Sequence, residues 1–171
     1  MWKKLIFICK RIFWTPERYA RSVGVQIGKN CAIATFGFGS EPYLIQIGDH
    51  CQITTGVKFF THGGGWVFRS KYPDFDTFGK IIVKDNVYIG NNSLIMPGVT
   101  INSNVIIGAG SVVTKSVQSG KIVAGNPAKI IGDLDDLEKR LIPYNLNTKK
   151  MNYLTKKTFL LSVKDEMFIS K

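Results

Sequence analysis

From residue 83 onward a branched apolar side chain recurs at every sixth position: Val83, Ile89, Ile95, Ile101, Ile107 and Val113. Four residues after each stands a second side chain of inward size: Val87, Ser93, Val99, Val105, Ser111 and Val117. A helix repeats near every 3.6 residues and a half-buried strand every two, so neither accounts for the pattern. A period of six is that of an all-β solenoid, a stacked parallel β-helix in which each hexad forms one short face of a coil. The same register runs earlier through Ile47, Ile53 and Phe59 and, offset, through Ile27 and Ile33. Phe59 and Val83 are 24 residues apart, a multiple of six, so the coil is expected to pause while residues 63–79 are extruded as a loop.

A chain of 171 residues, 44% hydrophobic and 20% charged, is long enough to bury one continuous core. Three segments are expected: an amphipathic helical cap over 1–22, the solenoid over 23–132, and a helical tail over 133–171. Thr15-Pro16-Glu17 reads as a helix start, and loop chemistry interrupts the hexads over 35–42. The tail opens with Asp133, Asp135 and Asp136 and turns basic at Lys139 and Arg140, the charge order a helix dipole favours, before Pro143 stops it. Cys31 and Cys51 each follow a hexad isoleucine by four residues and read as core thiols; Cys9 adds no metal-ligand spacing. Nothing requires an oxidising compartment, and the cytoplasm is the expected location.

Of the net charge of +11, residues 1–30 carry +6. There the lysines and arginines alternate with Trp2, Leu5, Ile6, Phe7, Ile8, Ile12, Phe13 and Trp14. That segment suits either a cap over the first coil or peripheral contact with the inner membrane face, and it is too short and too charged to span a bilayer. No motif beyond charge supports nucleic-acid binding.

The stretch Ile89-Gly-Asn-Asn-Ser-Leu-Ile-Met-Pro-Gly-Val-Thr-Ile, then Val105-Ile-Ile-Gly-Ala-Gly-Ser-Val-Val-Thr-Lys and Gly125-Asn-Pro-Ala-Lys, resembles the hexapeptide-repeat acyltransferases. The resemblance covers roughly 23–131. Gly39-Ser-Glu-Pro-Tyr-Leu-Ile and Thr61-His-Gly-Gly-Gly-Trp-Val-Phe-Arg narrow it toward acetyltransferases of bacterial surface-polysaccharide clusters. It implies a left-handed parallel β-helix, a homotrimer, and acetyl-CoA bound in the cleft between adjacent coils. Matched residue by residue, it places Asn91 and Ala109 along the pantetheine arm, and Thr114, Lys115 and Lys129 toward the phosphates. Gly132 stands where some relatives carry a further basic residue.

His62 stands where the coil breaks into a run of three glycines. A histidine can take a proton and return it near neutral pH, and a sugar hydroxyl attacks well only as its proton leaves. By the same resemblance His62 is the expected general base. His50, inside an unbroken run of hexads, reads as a surface turn residue. Glu41, in the preceding loop about one coil below, is the first candidate to orient His62, ahead of Asp76 and Asp74. Trp66 and Arg69 belong to the same loop and are candidates for acceptor contact, Trp66 either stacking on sugar or adenine or packing the loop.

These residues point to an acetyl-CoA-dependent O-acetyltransferase acting on a saccharide in surface-polysaccharide synthesis. N-acetylation of a nucleotide-linked amino sugar is the alternative, and a non-catalytic assembly module a further one. Two histidines do not make the three-histidine site of a zinc hydratase. A cysteine-linked route is disfavoured because no cysteine neighbours His62 in sequence.

Overall fold

A computed structural model describes residues 12–170. They form two compact units, divided after Leu134.

In the first unit a short helix, α1 (Pro16–Ser22), precedes strands that rarely exceed three residues. These are β1 (Gln26–Ile27), β2 (Ala32–Ile33), β3 (Ile45–Ile47), β4 (Gln52–Ile53), β5 (Lys58–Phe59), β6 (Ile81–Val83), β7 (Val87–Ile89), β8 (Leu94–Ile95), β9 (Thr100–Ile101), β10 (Val105–Ile107) and β11 (Val112–Val113). They assemble into three parallel sheets: β1-β3-β6-β9, β2-β4-β7-β10 and β5-β8-β11. The chain visits the three sheets in turn. Its register advances eighteen residues per circuit, as in Val83↔Ile101, Ile89↔Ile107 and Ile95↔Val113. Three hexads therefore make one turn.

The inward positions form the core. Ile53, Ile89, Ile95, Ile101 and Ile107 are fully buried, and Val87, Val99 and Val105 nearly so. Burying such a side chain contributes about 1.5–3 kcal/mol. Ser93 and Ser111 occupy the small inward slot, and both hydroxyls donate to the Gly108 carbonyl, at 3.0 and 2.6 Å. One corner of every coil turns through left-handed backbone, at Asn30, His50, Asn86 and Asn104 (φ 53–60°), a conformation asparagine tolerates better than most residues. His50 belongs to this ladder: its Nδ1 meets Asn86 Oδ1 at 2.9 Å, and Asn86 donates on to Asn104 Oδ1 at 2.7 Å. Cys51 is buried, and burial pushes its thiol up to about 11, which keeps it protonated; Cys31 is half-buried. Cys9 and the first half of the expected N-terminal amphipathic segment lie outside the described residues.

The register departs from eighteen at three places, the last being the final coil, where Ile101↔Val117 and Ile107↔Val123 differ by sixteen. Phe59↔Ile95 and Ile53↔Ile89 differ by thirty-six, so one full turn's worth of chain leaves the coil between β5 and β6, where extrusion was expected. Ile27↔Ile47 differs by twenty, a two-residue excess taken up over 35–42. That segment is not wholly outside the coil, as its loop chemistry had implied. Gly37 bridges Lys58 in parallel, and Phe38 turns inward to stack on Phe59, so the third face of the first coil is kept. The last coil closes as an antiparallel hairpin of β12 (Lys121–Gly125) and β13 (Ala128–Asp133), tied by a Lys121–Asp133 ion pair.

The second unit holds most of helix α2 (Leu134–Leu141), acidic in its first turn and basic in its last, and helix α3 (Tyr153–Ser162), whose N-cap Asn152 accepts from Thr155 N–H at 2.9 Å. Single 3-10 turns follow α2 at Ile142–Tyr144 and precede α3 at Thr148–Lys150.

Candidate active site

The segment after β5 stays extended, and its side chains alternate. Phe59 and Thr61 point into the core, each 1% exposed, while Phe60 and His62 point out. The excursion begins at His62 and is stapled shut at its base: His62 bridges Phe78 in antiparallel fashion, and Gly79 N–H donates to the Thr61 carbonyl at 2.7 Å. The rings of His62 and Phe78 lie 5.6 Å apart. His62 is thus held by backbone on both strands of the loop's neck.

Glu41 reaches this point from the coil below. Phe38 anchors its loop, and Gly39 follows with φ +64°; a side chain on Gly39 would press on the Phe59 carbonyl 3.0 Å away. Glu41 Oε2 then accepts two hydrogen bonds, from Thr61 Oγ1 at 2.6 Å and from His62 Nδ1 at 2.7 Å. The Thr61 hydroxyl is the largest influence on the Glu41 carboxyl. With His62 it holds that carboxyl below its ordinary value, against the opposing effect of burial. An ionised carboxylate can only accept, so Nδ1 carries a hydrogen, and in the neutral ring Nε2 keeps its lone pair, on a side chain 39% exposed. An imidazole with its tautomer set and its second nitrogen accessible is equipped to take a proton from an incoming group.

Asp76 does not join this pair. It lies 3.8 Å from Arg69 Nη2, and Arg69 Nε donates to the Phe75 carbonyl at 3.2 Å, so both residues brace the loop's own turn. Asp74 is exposed in that loop. Trp66 is 81% exposed; the loop packs instead through Phe68, Tyr72 and Phe75. Thr61 escaped the sequence reading. Its signal was the two-residue alternation from Phe59, which directs a hydroxyl inward beside the histidine.

Apart from Lys129, the residues expected to hold acetyl-CoA fall in two columns flanking the third sheet. Asn91 and Ala109 share the corner that leads into it, one coil apart, where Gly110 N–H donates to the Asn91 carbonyl at 2.8 Å. Thr114 and Lys115 are exposed at the corner that leads out, in the same column as Thr61 and His62 but two coils further, about 10 Å along the axis. Lys115 lines a groove of about 250 Å³ with Val117, Ala128 and Ile130. Lys129 is exposed on β13, paired with Ala124.

Residues 80–115 match the family described as bacterial transferase hexapeptide (six repeats). Protein CapG of Staphylococcus aureus is 53% identical over 150 residues, covering 85% of this chain and 87% of CapG. Galactoside O-acetyltransferase of Escherichia coli K12 is 32% identical over 126 residues, 72% of this chain and 61% of that protein. Among solved structures, a hexapeptide-repeat acetyltransferase of Vibrio cholerae complexed with acetyl coenzyme A superposes with a TM-score of 0.57 at 30% identity, over 65% of this chain and 61% of that one. The chain spans about three fifths of the length of the last two.

Proposed function

The chain belongs to the hexapeptide-repeat acyltransferases, and from that membership we propose that it moves an acetyl group from acetyl-CoA to a hydroxyl of a saccharide. The single observation that carries the mechanism is the hydrogen bond from His62 Nδ1 to a Glu41 carboxylate that Thr61 holds ionised. His62 Nε2 accepts the hydroxyl proton as the sugar oxygen attacks the thioester carbonyl. The carbonyl becomes a tetrahedral oxyanion, which collapses by breaking the carbon–sulfur bond. The departing thiolate takes the proton back from the imidazolium, and Glu41 stabilises that cation while it exists. Thr61 acts through Glu41 as a positioning residue.

The galactoside enzyme and the structure with acetyl coenzyme A support this choice of acceptor and donor. On this reading the coil is left-handed and the working form a homotrimer. Acetyl-CoA lies along the third sheet between the Asn91–Ala109 corner and Lys115, with Lys129 toward its phosphates, and Trp66 offers its exposed indole to the sugar. The acceptor is a unit of a bacterial surface polysaccharide, met on the cytoplasmic side, with the basic N-terminal segment resting on the membrane.

Thiol release from acetyl-CoA, measured against a panel of saccharides and amino sugars, tests the reaction class. Release stimulated by hydroxyl acceptors is expected; stimulation by amino sugars alone would replace the proposal with N-acetylation. The pH profile carries a further expectation. Because the folded chain holds Glu41 below the ordinary carboxylate value, its stabilising contribution is complete above that value and is lost only as pH falls through the lower folded one. Glu41 should therefore remain ionised, and kcat/KM should show no loss through its protonation, until pH falls below the ordinary carboxylate range.

Thr61→Val removes a hydrogen bond to a charged acceptor, an interaction of about 1.5–3 kcal/mol. The expected result is a kcat about tenfold lower with KM for acetyl-CoA unchanged, and rescue by Thr61→Ser. A valine variant with wild-type kcat would remove Thr61 from the site.

A further inference from the structure

The second unit presents apolar side chains to solvent, while Phe159 and Leu160 of α3 are half-buried. Among its described residues none is buried, and on α3 Tyr153, Leu154 and Leu161 are 78, 73 and 79% exposed. A ten-residue helix is marginal in water by itself, and contact with a surface would steady this one. The charge around it says what kind. Residues 142–164 carry Lys149, Lys150, Lys156, Lys157 and Lys164 and no aspartate or glutamate.

At 100° per residue Tyr153, Leu154, Lys157 and Leu161 fall within one quadrant or slightly more of α3, with Lys156 beside Tyr153. Tyr153, Lys156, Lys157, Leu160 and Leu161 line a common concavity of about 420 Å³. Lysine stems lying along an apolar strip, with their ammonium groups extended past it, are the arrangement that meets a surface apolar below and negative above. A second copy would set its own Lys149, Lys150, Lys156 and Lys157 against the same four lysines, whereas an anionic surface brings only opposite charge to them.

We propose that the C-terminal unit docks on an anionic lipid surface, α3 seating Tyr153, Leu154 and Leu161 at the headgroup–acyl boundary while the lysines meet lipid phosphates. Among the described residues no helix is long and apolar enough to cross a membrane, so the contact is peripheral. Stable attachment generally takes two signals, and α3 would be the second beside the basic, aromatic N-terminal segment. The docking does not depend on which acceptor is acetylated.

Partitioning of the full chain between buffer and sedimented vesicles of phosphatidylglycerol mixed with phosphatidylcholine tests it, at low ionic strength. Neutralising two surface lysines as Lys156→Gln with Lys157→Gln is expected to lower the partition coefficient about 25-fold. Added salt should weaken the wild type in the same direction. Equal binding to pure phosphatidylcholine, or a change under twofold in the double variant, would overturn the proposal. Tyr153→Ser with Leu154→Ser and Leu161→Ser separates the remaining occupant. Loss of vesicle binding with unchanged sedimentation of the free protein supports the lipid contact. A changed oligomeric state with vesicle binding intact assigns the face to a second copy and overturns it. Thermal melting of each variant reports that the coil is folded, so neither outcome relies on catalysis.

Discussion

His62→Ala is expected to lower acceptor-dependent thiol release by about 10²–10⁴-fold, the range a positioned general base contributes. The substitution removes Nε2, the nitrogen left with its lone pair once Nδ1 is committed to Glu41 at 2.7 Å. Binding of acetyl-CoA should survive, because the residues proposed to hold it, Asn91, Ala109, Thr114, Lys115 and Lys129, lie on later coils and the closing hairpin. The loss should therefore appear in kcat with KM for acetyl-CoA little changed. A hydroxyl acceptor depends on proton removal far more than a neutral amine does. If release toward amino sugars persists in the variant while release toward sugars without an amine disappears, both the base and the preference for oxygen are established. If both persist, His62 is not the base.

Phe38→Ala should be the most damaging change at the first coil, costing about 3–5 kcal/mol through the cavity it leaves. Phe38 is 2% exposed, and its ring stacks on Phe59 with centroids 5.6 Å apart and planes 6° from parallel. For a chain of this size that loss corresponds to a fall in melting temperature of roughly 10 °C, read by circular dichroism on heating. The effect should reach the site as well. Phe38 anchors the loop that passes through Gly39 to Glu41, so loosening it frees the carboxylate from Thr61 and His62. Phe38→Leu, which refills part of the volume, should recover most of the stability and some of the activity. A melting temperature unchanged in Phe38→Ala would mean that the third face of the first coil contributes nothing to the fold.

The coil was legible because its cause is local and repeated. Each hexad places one branched side chain inward, and an error of one residue would expose the whole series, so the period is written into the chain wherever the coil runs. Ile89, Ile95, Ile101 and Ile107 stand in the sequence as they stand in the core. The extruded loop was legible for a related reason: an interruption that resumes in register leaves the count of six intact. The turn over 35–42 was not. Its glycines and Pro42 describe a loop, and nothing local says that Phe38 within it turns back to stack on a residue twenty-one positions later.

The amino-acid sequence by itself determined the six-residue repeat of the coil, the point where it opens, the histidine at that opening and the family to which the chain belongs. The tertiary structure alone decided which acid that histidine meets. Glu41, Asp74 and Asp76 are equivalent as loop carboxylates. The choice among them depends on stacking: one circuit of the coil lays the Glu41 loop under Thr61, while Asp76 is drawn to Arg69 in its own turn. A period reports what each residue does relative to its own coil. Contacts between successive coils depend on how many residues each loop inserts, and those are set only when the coils stack.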